Sequence, residues 1–300
     1  MTEPPLLADA PPWFVRAVSV PRTDGRVEVD GAGVHYLTWG RPGRRGLVFV
    51  HGGGAHAHWW THVAATFANE FRVAAIDLTG HGDSAHRDRY DPEQWADEVM
   101  AVAGDAGIDG RPVVIGHSMG GFVTIVTAAR HPDDLAGVIV CDSPVTEADP
   151  EVSARDAFGR LRTYDTVEQA IARFRTVPPQ EHYLDYVVDF VARHSLKRVG
   201  DGWQWKFDRR VFEQFGDGVR GLAVPYLDQV NCRLALLRSE YGLVTPEIGA
   251  FMFDKLGRVT PVIEIPEAGH HAMLDQPLIL LTALRTLLAD WDHSEPHHRR

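Results

Sequence analysis

The sequence predicts an α/β protein in which a mostly parallel sheet is flanked by helices and interrupted once by a helical insertion. Three observations carry this. Short apolar runs recur at GLVFV (46–50), RVAAIDL (72–78), RPVVIG (111–116) and LAGVIVCD (135–142). Helix-period segments separate them, and near-continuous apolar strands alternating with helices belong to a parallel sheet covered on both faces. The alternation breaks from about 145 to 230 and then resumes.

Taken in order, RVEVDGAGVHYLTWG (26–40) reads as two strands around the Asp30-Gly31 turn. THVAATFANEF (61–71) follows GLVFV as a helix. In DPEQWADEVMAVAGDAG (91–107), Asp91 caps a helix whose first residue is Pro92. MGGFVTIVTAARHP (119–132) is the next helix, ended near Pro132. After the interruption come a strand in CRLALLRSE (232–240), a helix in TPEIGAFMFDKLG (245–257), a strand in TPVIEI (260–265) and a closing helix in PLILLTALRTLLADW (277–291). The interruption has another texture. DTVEQAIARF (165–174) carries a capping box, Thr166 to Gln169, ahead of Val167, Ala170, Ile171 and Phe174. Tyr183, Tyr186, Val187 and Phe190 recur at helical spacing, and Trp203, Trp205 and Phe207 follow. These aromatics read first as a small core of the insertion itself. Some also read as lining of a substrate cavity, because ligands bind beyond the carboxyl ends of the strands in open α/β sheets. The resulting domains are a core over 1–144 with an N-terminal arm, a helical cap over 145–230, core again over 231–292, and a frayed tail over 293–300.

Bulk composition excludes several roles. The 300 residues carry 30 basic and 41 acidic side chains, a net charge of −11, which speaks against a nucleic-acid partner. No run approaches the roughly 18 apolar residues that a membrane span needs. The opening MTEPPLLADAPP has neither the basic nor the apolar region of a signal peptide, so the expected location is cytoplasmic. Cys141 and Cys232 fit no metal or disulfide spacing. Oligomeric state is not legible, a homodimer included.

The chemistry starts at VVIGHSMGGF (113–122), where strand gives way to helix around Gly116-His117-Ser118-Met119-Gly120. This matches G-x-S-x-G in the strand–turn–helix setting the motif requires, with glycines where backbones must approach and a serine lifted to the sheet top. Serine needs a base. His270, after Gly269 in EAGHHAMLDQP, is favoured over its neighbour His271 because Gly269 leaves room for the ring to reach the sheet top. Developing negative charge needs two amide donors. Gly53 in FVHGGGAHAHWW supplies one, with Gly54 second in line, and Met119 at a helix N-terminus supplies the other. Trp59, His117, His271, Trp203 and Trp205 are candidate pocket residues, though Trp59 and Met119 also read as packing.

Taken together, His51-Gly52-Gly53, DLTGHGDS (77–84), GHSMGG (116–121) and GHHAMLDQP (269–277) resemble the α/β-hydrolase-fold serine hydrolases with a helical cap, over about residues 27–292. The resemblance implies an eight-stranded sheet, no metal, no organic cofactor and no catalytic part for Asp77 or His81. The chain departs from the family at the third catalytic residue, usually drawn from a Gly-x-x-Asp turn after the seventh strand. Here that turn reads Ser239-Glu240-Tyr241-Gly242, with glycine in the place of the aspartate. Asp142, at the end of the sixth strand, is the favoured acid, a position that a minority of the fold uses, some haloalkane dehalogenases among them. Glu240 is the alternative. The same topology puts Cys141 at the end of one strand and Cys232 at the start of its neighbour, beyond disulfide reach.

The expected activity is hydrolysis of a carboxylic ester or lactone of a small, largely apolar molecule through an acyl-enzyme on Ser118. The alternatives are hydrolysis of a C–C bond in a β-diketone or ring-cleavage product, and a non-catalytic small-molecule receptor on the same fold. Epoxide hydrolase and dehalogenase chemistry would need an aspartate at 118.

Overall fold

The computed structural model describes residues 9–147, 162–215, 220–257 and 260–294. Its strands are β1 (Thr23–Val29), β2 (Ala32–Trp39), β3 (Gly46–Val50), β4 (Arg72–Ile76), β5 (Val113–His117), β6 (Gly137–Cys141), β7 (Leu196–Val199), β8 (Gly202–Trp205), β9 (Leu234–Tyr241) and β10 (Val262–Gly269). Eight of them form one sheet in the order β1-β2-β4-β3-β5-β6-β9-β10. Only β2 runs against its neighbours. The expected eight-stranded, mostly parallel sheet is what the chain builds.

Local chemistry explains the elements. Asp30 and Gly31, the two loop residues between paired Val29 and Ala32, both have positive φ (47° and 73°), the backbone of a tight hairpin turn. Asp91 accepts a hydrogen bond from the Glu93 amide at 2.8 Å, capping helix Pro92–Asp105. Thr245 does the same for Ile248 ahead of helix Pro246–Lys255. The closing helix spans Pro277–Ser294 and so takes in the first two residues of the expected tail; 295–300 lie outside the described residues. The segment expected as one helix after β3 is instead a 3-10 turn (Ala57–Trp60), one α turn (Thr61–Ala64) and a second 3-10 turn (Ala65–Phe67).

Side chains alternate across the central strands into two apolar layers. Leu47 and Phe49 join the layer holding the closing helix, while Val48 and Val50 join the layer holding helices Pro92–Asp105 and Met119–Arg130. No helix among the described residues is long and apolar enough to cross a membrane. Cys141 and Cys232 are free thiols.

The insertion differs from its expected form in two ways. Among its described residues, helices Val167–Ile171, Asp185–His194 and Arg210–Phe215 are joined by the β7–β8 hairpin, which carries Trp203 and Trp205. Most of its buried large side chains among the described residues also join the main core. Val187 and Val191 are buried in the first apolar layer, with Tyr186 and Phe190 packed at its margin; Phe207, Val211 and Phe212 are buried in the second. Tyr186 and Phe190 lie edge-on to Phe14, of the N-terminal helix Pro12–Val18, at 4.9 and 5.9 Å. The helical period of Tyr186, Val187 and Phe190 marks the face that this helix sets on the main core. The part of the predicted cap at 148–161 lies outside the described residues.

One glycine makes the packing testable. A Cβ at Gly120 would lie 2.4 Å from the His51 carbonyl oxygen and 2.6 Å from that of Val50, both backbone. Gly120→Ala should therefore reduce unfolding free energy by on the order of 2 kcal/mol, against the mild gain that alanine brings to an unobstructed helix. Urea denaturation of the two proteins checks this, and equal midpoints would refute it.

Candidate active site

The chain order places the site at the junction between β3 and β5. From β3 the chain proceeds to β4 on one side of the sheet, then returns to β5 and proceeds to β6 on the other. Loops diverge at such a reversal and leave a crevice at the carboxyl ends of the strands. Gly52-Gly53 follows β3 there, and Ser118 follows β5.

Ser118 joins β5 directly to helix Met119–Arg130 with φ 54° and ψ −121°, a backbone that L-residues rarely adopt. Such strain costs on the order of 1–3 kcal/mol and persists only where the surroundings over-determine it. Here the Ser118 amide is tied to the Cys141 carbonyl at 3.0 Å, and the helix crosses close above the strand. A Cβ on Gly116 would meet the Gly120 carbonyl oxygen and the Thr124 hydroxyl, each at 2.2 Å. Glycine at 116 and 120 is thus what lets the serine stand at the turn.

His270 lies beside it. Nε2 is 2.9 Å from Ser118 Oγ, and Nδ1 is 2.6 Å from Asp142 Oδ2. A carboxylate only accepts, so Nδ1 carries the proton and Nε2 presents its lone pair to the serine hydroxyl. Asp142 leaves β6 with φ 43° and turns its carboxylate into the β9 turn. There Oδ1 accepts from the Ser239 and Val244 amides at 3.1 and 3.3 Å, and Oδ2 from the Leu243 amide at 2.8 Å. Burial alone would push this carboxyl up. The hydrogen bond and charge of His270, with the Leu243 and Ser239 amides, outweigh burial and hold it below the usual carboxylate range.

The same contact explains the glycine at 242. A Cβ there would lie 2.3 Å from Asp142 Oδ2. The space that an aspartate in the β9 turn would use is filled by a carboxylate from β6, so the two positions exclude each other. Glu240 does not join the group: it is exposed and accepts from the Glu267 amide at 2.8 Å. Among the described residues His271 makes no hydrogen bond to Ser118. Its Nε2 donates to the Pro178 carbonyl at 3.2 Å, and burial holds its pKa well below the usual range. His117 Nε2 donates to the His270 carbonyl at 2.8 Å, and burial lowers its pKa to about 3.

Met119 opens its helix, so its amide has no acceptor within the helix. Among the described residues the Gly53 amide makes no hydrogen bond. His51 orients this loop: Nδ1 donates to the Gly52 carbonyl at 2.7 Å and Nε2 accepts from the Leu78 amide at 3.1 Å. Trp59 stands 5.4 Å from His271 and 6.2 Å from Phe174, whose ring is 5.7 Å from Trp205. Trp203 contributes through its backbone, paired with Tyr164 at the outer hairpin.

Three further residues escape sequence reasoning. Phe212 sits over the loop after β3, with its ring 3.1 Å from where a Gly53 Cβ would be. Gln180, from the insertion, accepts from the His271 amide at 2.8 Å and donates to Asp275 Oδ2 at 2.9 Å. Asp275 Oδ2 also accepts from the Gly269 amide at 2.6 Å. Gln180 and Asp275 together clamp the residues on either side of His270. The acidic residue in GHHAMLDQP was a visible signal for Asp275; a lone glutamine 90 residues upstream was none for Gln180.

Two measurements follow. Burial raises Asp275 to about 6, against the smaller opposing effect of its amide donors. A raised acid favours the folded state at low pH, and that contribution is lost as pH rises from about 4 through 6. In Asp275→Asn the unfolding free energy at pH 7 minus that at pH 4.5 should be more positive than in the wild type, by urea titration at both values; an unchanged difference would count against it. Separately, Gly242→Ala should displace the Asp142 carboxylate and lower kcat at least tenfold with KM changed less, and wild-type kcat would rule out the crowding.

Comparison with known proteins comes to the same fold. The profile of the alpha/beta hydrolase family matches residues 47–283. Lipase LipV of Mycobacterium tuberculosis is 33% identical over 258 residues, covering 85% of this chain and 97% of its own. Esterase Rv0045c of the same organism is 28% identical over 279 residues, covering 87% and 88%. The crystal structure of an E-2-(acetamidomethylene)succinate hydrolase superposes with a TM-score of 0.77 at 21% identity, covering 90% of this chain and all of that one. On the family match and the esterase and lipase relatives, the chain belongs to the alpha/beta hydrolase family and is a hydrolase.

Proposed function

We propose that the protein is a serine hydrolase that cleaves a carboxylic ester or lactone of a small, largely apolar molecule through an acyl-enzyme on Ser118. One observation carries the reading: the unbroken hydrogen-bond path from Asp142 through His270 to Ser118 Oγ, at a serine held in a strained turn. The relatives named as an esterase and a lipase support ester chemistry. The rings of Trp59, Phe174, Trp205 and Phe212 around the crevice support an apolar substrate.

In this mechanism Ser118 Oγ attacks the carbonyl carbon as His270 Nε2 takes its proton. Asp142 keeps the imidazole in the required tautomer and stabilises the imidazolium. The oxyanion forms between the Gly53 and Met119 amides, where the positive end of helix Met119–Arg130 adds its field. His270 returns the proton to the leaving alkoxide, and the acyl group stays on Ser118. Water, deprotonated by the same nitrogen, then releases the acid. The receptor alternative had rested on the missing acid in the β9 turn, and Asp142 removes that reason.

Ser118→Ala should lower kcat on p-nitrophenyl esters by several orders of magnitude, with the melting temperature within a few degrees of wild type. A fluorophosphonate should label Ser118, by peptide mass spectrometry. Labelling at another serine, or faster turnover of a vinylogous diketone than of any ester tried, would overturn the assignment. Asp142→Asn should cost roughly 10³ to 10⁴ in kcat, while Glu240→Gln changes it less than about tenfold. Equal losses in the two variants would refute the choice of acid.

A further inference from the structure

We propose that His117, His270 and His271 form a three-imidazole site for a divalent transition-metal ion, Zn2+ or Cu2+, which inhibits the enzyme by occupying the nitrogen that Ser118 depends on. The three rings are mutual neighbours, with centroids 4.6 Å apart for His117–His270 and for His270–His271, and 5.4 Å for His117–His271. One ligating nitrogen from each lies within 4.8 Å of the other two, and all three side chains are buried.

Hydrogen bonding decides which nitrogens are available. His270 donates Nδ1–H to Asp142, His117 donates Nε2–H to the His270 carbonyl, and His271 donates Nε2–H to the Pro178 carbonyl. Each imidazole therefore has its proton committed to a carboxylate or a carbonyl and keeps one unprotonated nitrogen, which in His270 accepts from the Ser118 hydroxyl. Metal-binding histidines show that same outer arrangement, which sets the tautomer and raises ligand basicity. The lone pairs belong to His270 Nε2, His117 Nδ1 and His271 Nδ1. His271 Nδ1 is buried and has no hydrogen-bond partner among the described residues. His117 Nδ1 borders the space left by Gly52: a Cβ there would be 3.1 Å from it and 3.2 Å from Ser118 Cβ. A second glycine thus keeps this nitrogen and the serine on one opening.

Zinc with nitrogen ligands at about 2.0–2.1 Å spaces them roughly 3.4 Å apart in a tetrahedron, so nitrogens within 4.8 Å of one another need draw in by at most about 1.4 Å. Three protein ligands leave a fourth position, and the Ser118 hydroxyl, 2.9 Å from His270 Nε2, is placed to fill it. Imidazole donors select Zn2+ and Cu2+ over Mg2+ and Ca2+, which prefer oxygen.

The inhibitory part rests on the reading of Ser118 and His270 as nucleophile and base; the binding part does not. The test uses the full chain with His297 and His298 replaced by alanine, because that tail pair would itself bind metal. In Ser118→Ala on this background, calorimetry should show one Zn2+ per chain, and Co2+ should give the intense visible bands of tetrahedral coordination. His271→Asn and His117→Asn, each added to it, should weaken binding at least tenfold. With Ser118 intact, Zn2+ should abolish p-nitrophenyl butyrate hydrolysis over the same concentration range, reversibly with a chelator, while Mg2+ has no effect. No saturable binding, weak octahedral Co2+ bands, or equal affinity in the histidine variants (an adventitious ion only) would overturn the site. Histidine-dependent binding with undiminished hydrolysis would overturn the inhibition alone, and would place the fault in the catalytic reading.

Discussion

The Asp142 carboxylate is the contact on which the site is built. It ends β6, accepts three amides of the β9 turn and holds His270, so one side chain ties two strands and the base loop together. A buried carboxylate is stable only when hydrogen-bonded and paired, and here the four donors satisfy it. Moving the acid from the β9 turn to β6 requires that the turn carry nothing at 242, and the glycine supplies that. The β9 turn keeps its place in the architecture and changes its part: in place of the carboxylate it contributes the amides that receive one.

Strain at Ser118 and closeness at the glycines belong to the same design. A serine with positive φ survives because the helix above and the strand below leave no other path for the chain. The DLTGHGDS segment supports this from the other side of the crevice. Asp77 accepts from the Ala57 and Asp83 amides and from His35 Nδ1, so it braces the loop that carries Trp59. Gly82 lies where a Cβ would strike that carboxylate at 2.1 Å. Asp77 is thus wholly engaged in holding these loops.

The insertion is welded to the site at two levels. Its apolar residues complete both layers around the sheet, and its polar residue Gln180 closes on the base loop. Tyr183 supports this by accepting from the Gln180 amide at 2.8 Å, while its hydroxyl pairs with Thr176. One segment thus supplies both Phe174 and Trp205, in ring contact with Trp59 and with each other, and the Gln180 clamp beside His270.

Much of this was legible in the sequence, for a local reason. Strand and helix periods, the Asp91 and Thr166 caps, the Asp30-Gly31 turn and the serine elbow are set by neighbours a few residues apart, and they appear where the residues demand. The order Ser118 before His270 was legible because the fold's topology is regular. The choice between Asp142 and Glu240 was not, because it turns on whether a carboxylate from one strand can enter a turn of the next, and only packing at Gly242 decides that. Likewise His270 and His271 are adjacent and chemically identical, and a single peptide sends one ring to Ser118 and the other to Pro178. The insertion's helical period was readable, but the surface it would cover was not, since period gives a face and tertiary contact gives its partner. Composition and spacing determined the fold and singled out Ser118 and His270; the seating of Asp142 against His270 and the Gln180 clamp depend on contacts between residues 91 to 128 positions apart, which only the folded chain brings together.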